Sequence, residues 1–190
     1  MHICSDEELV QALKNGDISA FDVLFKKYSK PLLFFINQII HNKSRAEDIF
    51  QDTFVKVLEH KEKYDDRYRF STWIYRIALN LSINELQKKK REHILLCHSH
   101  NSGSAAAEKK QSEPYRDFFT PLDYVLQNEQ ISHIEAALHT LTASQRAAFV
   151  LKFYHHLSYE EIAAVMECSI GTVKSRIHYA VENIKNSIGV

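Results

Sequence analysis

Turn-forming residues are scarce in this sequence, with 4 glycines and 3 prolines among 190 residues. Sandwiches and barrels turn every few residues and draw on both types, so this scarcity argues against them and for long helices. Cysteine is equally sparse. Cys4, Cys97 and Cys168 are scattered and odd in number, which makes no disulfide framework and suits a reducing compartment. Long apolar runs are missing too. The longest, from Leu32 to Ile40, is interrupted by Asn37 and Gln38, whereas a membrane span needs about 20 apolar residues. Asp6, Glu7 and Glu8 stand where a secretory signal carries basic residues, so no signal peptide is expected and the protein is expected in the cytoplasm. Net charge is absent as well: 24 basic residues balance 24 acidic ones, leaving no overall field to draw the chain to nucleic acid.

What is present is ordinary for a globular protein: 45% hydrophobic and 25% charged residues. The length suits one large domain or two small ones. The charge is unevenly placed. Residues 61–91 carry nine basic side chains against four acidic, a net of +5, while residues 1–60 and 122–190 each come to −2. The positive patch lies in the middle of the chain.

The most informative stretch runs from Leu157 to Ile177 and reads as two short helices joined by a tight turn. Ser158 followed by Glu161 is a capping box that starts the first helix. Ile162, Val165 and Met166 then share one face. Ser169 is placed to cap the second helix, where Val173, Ile177 and Ala180 point inward. Its outward face carries Thr172, Lys174, Ser175 and Arg176, residue types that hydrogen-bond phosphates and base edges. This is the pattern of a helix-turn-helix, whose second helix enters the major groove. The competing reading is an ordinary αα-hairpin inside a helical core.

Upstream, Ser5 and Glu8 form another capping box, with Gly16 as the stop. A second helix is expected from about Ser19, kinked or interrupted at Pro31. Ser44 and Glu47 repeat the capping pattern before a helix to about His60. Ala46, Ile49, Phe50, Phe54, Val57 and Leu58 make its apolar face, and Asp48, Gln51, Asp52, Val55 and Glu59 the opposite one. From Tyr64 to Arg76 five aromatics interleave with three arginines. Such a mixture holds single-stranded nucleic acid by stacking on rings and pairing with phosphates. For Phe70 and Trp73, packing into the core is an equal alternative. Ser71 is expected to cap the next helix, which ends in Lys88-Lys89-Lys90-Arg91, a cluster suited to the helix dipole and to phosphate.

Helical periodicity fades from Glu92 to Pro121, apart from His93 to Cys97, and this segment reads as a flexible polar linker. His93, Cys97, His98 and His100 are the one candidate metal cluster, but their spacing matches no zinc pattern. The carboxylates of the Asp48 face have no nucleophile or metal ligand near them in sequence, so no catalysis is expected. Beyond Leu122, Ile131, Ile134, Leu138 and Leu141 are helically spaced. Thr142 and Ser144 are candidate caps for a helix carrying Ala147, Phe149, Val150, Phe153 and Tyr154.

Taken together, Ala46–Phe54, Phe70–Asn80 and Leu157–Arg176, in this order and separation, resemble the bacterial RNA polymerase sigma factors of the extracytoplasmic-function (ECF) group. The resemblance covers nearly all of the chain except the linker. It implies an all-α protein with a helical domain over residues 1–91, a flexible linker over 92–121 and a helix-turn-helix domain over 122–190. It implies no enzymatic activity, cofactor, metal or small-molecule substrate. The implied partners are core RNA polymerase (its β′ clamp helices and β flap), promoter DNA and an anti-sigma factor. By the same resemblance, Asp48, Gln51 and Asp52 meet the polymerase. Tyr64, Arg67, Tyr68, Arg69, Phe70, Trp73, Arg76, Asn80, Lys88 and Arg91 recognise and open the −10 element. Ser169, Gly171, Thr172, Lys174, Ser175, Arg176 and His178 read the −35 duplex.

The chain departs from the family pattern in two places. Glu167 stands in the turn where relatives often have glycine, and Tyr179 where they often carry a second arginine. Weaker phosphate contacts, and greater dependence on polymerase for promoter binding, are expected from this. Two other readings differ in class. A stand-alone helix-turn-helix regulator would dimerise on a palindrome, and a metal-dependent sensor or hydrolase would be built on the His93 cluster.

Overall fold

The computed structural model describes residues 5–99 and 136–188. Every regular element among the described residues is helical. The N-terminal half consists of α1 (Asp6–Lys14), α2 (Ile18–Ile40), α3 (Lys43–His60), a short 3-10 turn (Lys61–Lys63) and α4 (Phe70–Ser99). The described C-terminal half consists of α5 (136–140), α6 (Ala143–Phe153), α7 (Tyr159–Met166) and α8 (Ile170–Ile188).

Three helices start with reciprocal capping boxes. Ser5 and Glu8 cap α1, Thr142 and Gln145 cap α6, and Ser158 and Glu161 cap α7. Each satisfies two otherwise unpaired backbone donors. Two expected caps are corrected. α3 is capped by Asn42, whose side chain accepts from the Arg45 N–H at 3.0 Å. His41 takes a left-handed conformation (φ 52°) directly after α2, so the chain reverses early and Ser44 is already inside the helix. α4 begins at Phe70, ahead of the cap expected at Ser71. The Phe70 N–H donates to Glu7 Oε1 of α1 at 3.3 Å, so a residue far away in sequence meets the helix start.

Pro31 is expected to kink or interrupt α2; the helix is not interrupted and runs through it from Ile18 to Ile40. A proline inside a helix costs about 3 kcal/mol through a lost hydrogen bond and a clash. Leu24, Leu32, Phe35 and Ile36 of the same helix are fully buried, and each such side chain contributes about 1.5–3 kcal/mol. Burial wins. α4 also continues to Ser99, so the helical periodicity read over His93 to Cys97 belongs to an extension of this helix into the segment assigned to the linker.

The two halves meet in one continuous core. Leu32, Phe35, Ile36, Ile74 and Tyr75 from the first half join Ala147, Ala148, Val150, Leu151, Leu157, Ile162 and Val165 from the second. α2 packs on α6, and α4 on α7. Arg146 on α6 is the polar fastening. Its guanidinium donates to the carbonyls of Leu138 (2.7 Å), Leu141 (2.6 Å) and, across the seam, Gln38 (2.9 Å). A smaller cluster of Ala137, Leu138, Leu141, Ala180 and Ile184 ties α5 to α8.

Candidate nucleic-acid interface

The aromatic-basic segment between α3 and α4 divides its rings into two sets. Tyr64, Phe70, Trp73 and Tyr75 are buried, whereas Tyr68 is 53% exposed. The Tyr64 ring packs on Phe70 and Trp73, and Phe70 stands edge-on to Tyr28 at 5.2 Å. The Tyr64 hydroxyl donates to the Tyr68 carbonyl at 2.6 Å, and Lys14 Nζ donates to the Tyr64 carbonyl at 3.0 Å. Burial pushes the Tyr64 phenol up to about 12 and raises Tyr75 further, so both stay neutral hydrogen-bonding groups. This knot fixes the loop and leaves Arg67, Tyr68 and Arg69 outside it. For Phe70 and Trp73 the structure shows the packing role.

The arginines of this segment are already engaged. Arg67 grips Asp65 through Nε and Nη2 at 2.9 and 2.6 Å. The hydrogen bonds from Arg67 hold the Asp65 carboxyl down at about 2. Arg69 lies 3.4 Å from Glu161 and Arg76 3.9 Å from Glu167, both partners belonging to the C-terminal half. Asn80 is exposed on α4, as are Lys88 and Arg91 near its far end. At 1.5 Å per residue, Arg91 lies about 22 Å along the helix from Arg76.

The helix-turn-helix is formed by α7 and α8 with Glu167, Cys168 and Ser169 between them. Ser169 caps α8: its Oγ accepts from the Thr172 N–H at 3.1 Å and shares a 2.9 Å hydrogen bond with the Thr172 hydroxyl. Val173, Ile177 and Ala180 are buried beneath. Gly171, Lys174, Ser175 and His178 face solvent. Lys174 Nζ lies 5.7 Å from the Tyr159 ring, and His178 is 3.4 Å from Glu182. Arg176 is half-buried, its Nη1 lying 3.5 Å from Cys168 Sγ and 3.8 Å from Met166 Sδ. That contact folds it back over the turn.

Asp48, Gln51 and Asp52 form an exposed ridge on α3. Asp48 has a 3.6 Å ion pair with Arg45. Val55, 51% exposed, continues the ridge. Behind it the rings of Phe21, Phe25, Phe50 and Phe54 pack in a cluster, Phe25 and Phe54 at 4.8 Å. The ridge is thus acidic side chains on a stiff aromatic support.

Two family profiles match the chain, and they fall on these two halves: Sigma-70 region 2 on residues 24–92 and Sigma-70, region 4 on residues 132–184. RNA polymerase sigma-H factor of Pseudomonas aeruginosa is 32% identical over 96% of this chain and 93% of its own length. The chain belongs to the ECF RNA polymerase sigma factors. ECF RNA polymerase sigma factor SigW of Bacillus subtilis is 30% identical over 94% of both chains. Among solved structures, the sigma factor RpoE of Bartonella quintana, determined in complex with the anti-sigma factor NepR, matches with a TM-score of 0.68 and 25% identity over 90% of this chain and 97% of that one. Sigma factors are initiation factors for RNA polymerase rather than enzymes. Among the described residues no helix of this ECF sigma factor is long and apolar enough to cross a membrane.

The His93 cluster cannot be assembled from the described side chains, because those of Cys97, His98 and His100 lie outside them. Among the described residues no group of three or more His, Cys, Asp or Glu is placed to hold a metal. Four residues have partners that the sequence did not announce. Glu161 and Glu167 pair with Arg69 and Arg76, Arg146 fastens the halves, and His155 meets Tyr75. Each acts on a residue 80 or more positions away or on several carbonyls at once, and no local pattern announces that.

Proposed function

We propose that this ECF sigma factor works in the cytoplasm and divides its task among three surfaces. The Asp48–Gln51–Asp52 ridge docks on core polymerase at the β′ clamp helices, and the C-terminal half meets the β flap. The loop with Arg67, Tyr68 and Arg69, followed by Arg76, Asn80, Lys88 and Arg91 on α4, captures the melted strand of the −10 element. Tyr68 is the ring free to stack on a base, worth about 1–3 kcal/mol, while Tyr64, Phe70 and Trp73 hold the loop that presents it. Exposed Gly171, Lys174, Ser175 and His178, with Ser169, Thr172 and Arg176, read the −35 duplex from the N-terminal end of α8. Domain limits of 1–91 and 122–190 fit this division. An anti-sigma factor is the expected regulator, since the neighbouring RpoE structure holds one.

The observation that carries the reading is the match of both sigma regions along a chain whose α3 ridge, α4 loop and α8 face are separate surfaces. Association with purified core polymerase tests it. Native chain and core should co-elute on gel filtration, and Asp48→Lys should weaken the association about tenfold by placing a like charge against a basic surface. A chain that never associates with core yet binds duplex DNA tightly as a dimer would be a stand-alone regulator.

A further inference from the structure

Both ends of the loop that leads into α4 are held by α1. At the start of the loop, Lys14 Nζ donates to the Tyr64 carbonyl at 3.0 Å and lies 5.5 Å from the centre of the Tyr64 ring. At its end, Glu7 Oε1 accepts the Phe70 N–H at 3.3 Å, a donor that the first turn of α4 cannot satisfy by itself. Glu7 and Lys14 stand two turns apart on α1, so they share one face with about 10 Å between them along the axis. One short helix thus meets the loop where it leaves the 3-10 turn and where it enters α4.

The helix that does this is itself fixed. Val10 and Leu13 are buried, and Asp6 accepts from Lys27 Nζ and from the Tyr28 hydroxyl of α2, each at 2.6 Å. Lys61 of the 3-10 turn reaches back to the Leu13 carbonyl at 3.0 Å, so α1 and the approach to the loop are tied in both directions. The loop tip in turn hangs on Tyr64. Its hydroxyl donates to the Tyr68 carbonyl at 2.6 Å, and the Tyr68 N–H closes a turn on the Asp65 carbonyl at 3.2 Å. Lys14 therefore acts on Tyr68 through Tyr64, and Glu7 acts on it through the first residue of α4.

We infer that Glu7 and Lys14 are positioning residues for promoter opening, α1 bracing both ends of the loop so that Tyr68 is held where it stacks on a base of the −10 strand. The inference rests on the assignment of this loop to the −10 strand. A loop that is already ordered binds a strand without first giving up conformational freedom. Without the brace it samples other conformations, and apparent affinity falls in proportion to the fraction that remains competent. Both side chains are half-buried and turned to the loop backbone. They act on the strand through the loop and make no phosphate contact of their own.

The test uses the full-length chain with core polymerase and a promoter fragment from the same genome whose −10 segment is left single-stranded. Glu7→Ala removes the acceptor, and Lys14→Met removes the donor while keeping the apolar stem. Each should weaken binding of the assembled polymerase to this fragment about fivefold, as for a loop competent about one-fifth of the time. Affinity of the chain for core should stay within about twofold of native. Glu7→Gln keeps an acceptor and Lys14→Arg a donor, and both should recover most of the loss. In a Tyr68→Ala background the same substitutions should show less than about half of their logarithmic effect, since no ring is left to position. Full additivity with Tyr68→Ala makes the two residues general supports of the fold and overturns the inference. So does an undiminished affinity in Glu7→Ala and Lys14→Met, or a salt slope lower by about one in Lys14→Met, the mark of a lost phosphate contact. A native assembly that binds this fragment no better than the full duplex overturns the −10 assignment itself, whatever the variants do.

Discussion

Tyr75 and His155 face each other across the seam between the two halves, rings 4.7 Å apart and joined by a 3.0 Å hydrogen bond between the Tyr75 hydroxyl and His155 Nδ1. Phe35 stands edge-on to the same imidazole at 6.0 Å, and the other ring nitrogen, Nε2, is buried without a partner. Burial, with a smaller contribution from neighbouring His156, lowers the His155 pKa from its ordinary 6.5 to about 4. The seam is built around a neutral histidine.

The sign of its pH dependence follows. Between pH 6.5 and 4 the unfolded chain binds a proton at His155 that the folded chain does not, so stability is fully present above 6.5 and is lost as pH falls through that window. His41, stacked on His139 at 3.9 Å across the same seam, is lowered to about 3 by burial and then by Arg146, and acts in the same direction. Urea unfolding at pH 7 and pH 4.5 should show a loss on the order of 2 kcal/mol attributable to His155. In His155→Phe the difference between the two pH values should shrink by that amount. An unchanged difference would remove His155 from the account.

Arg146 donates to carbonyls of α5, of the turn before α6 and of α2. Burial pulls its pKa down to about 10, which leaves it charged at neutral pH. Replacing it by methionine keeps the apolar stem and strands those carbonyls, with an expected destabilisation of about 3 kcal/mol. Lysine, a single point of charge, cannot span three carbonyls and should recover less than half of it. Denaturant midpoints of the two variants measure this.

Pro31 lies inside an unbroken α2, where it withholds the hydrogen bond to the Lys27 carbonyl. Pro31→Ala should therefore raise stability by about 1–2 kcal/mol, the helix gain being offset partly by a freer unfolded chain. A fall in melting temperature would show that the ring itself packs usefully.

At Gly171 an added Cβ would meet only Ser169 Oγ, at 3.7 Å, an ordinary contact. Gly171→Ala should leave the fold intact and strengthen α8 by about 0.5–1 kcal/mol. Reduced binding to duplex promoter DNA in this more stable variant would then report close approach of DNA to the N-terminus of α8. Unchanged binding would place the DNA elsewhere.

What the sequence revealed was mostly local. The boxes at Ser5 and Ser158 and the cap at Ser169 read correctly because a short side chain and its target lie three residues apart, and of the two candidate caps Thr142 and Ser144 the structure uses Thr142. The same local code misled at Ser44 and Ser71, where Asn42 and distant Glu7 had already met the free donors. At Pro31 the helix is not interrupted, because burial of Leu32 and Phe35 outweighs a lost backbone bond. Helical spacing placed Asp48, Gln51 and Asp52 on the exposed side of α3 and Lys174 and Ser175 on that of α8, whereas residue type alone did not separate exposed Tyr68 from buried Tyr64, Phe70 and Trp73. The seam followed from neither, since Tyr75 with His155, Arg69 with Glu161 and Arg146 with Gln38 are pairings that only the tertiary fold creates.

The most direct test of the account is run-off transcription by purified core polymerase on promoters from the same genome, with and without this chain. The account predicts initiation that depends on the chain and falls at least about tenfold with Asp48→Lys or Arg176→Ala, since each breaks a different contact. Initiation that proceeds equally well without the chain, or is indifferent to both substitutions, would contradict it.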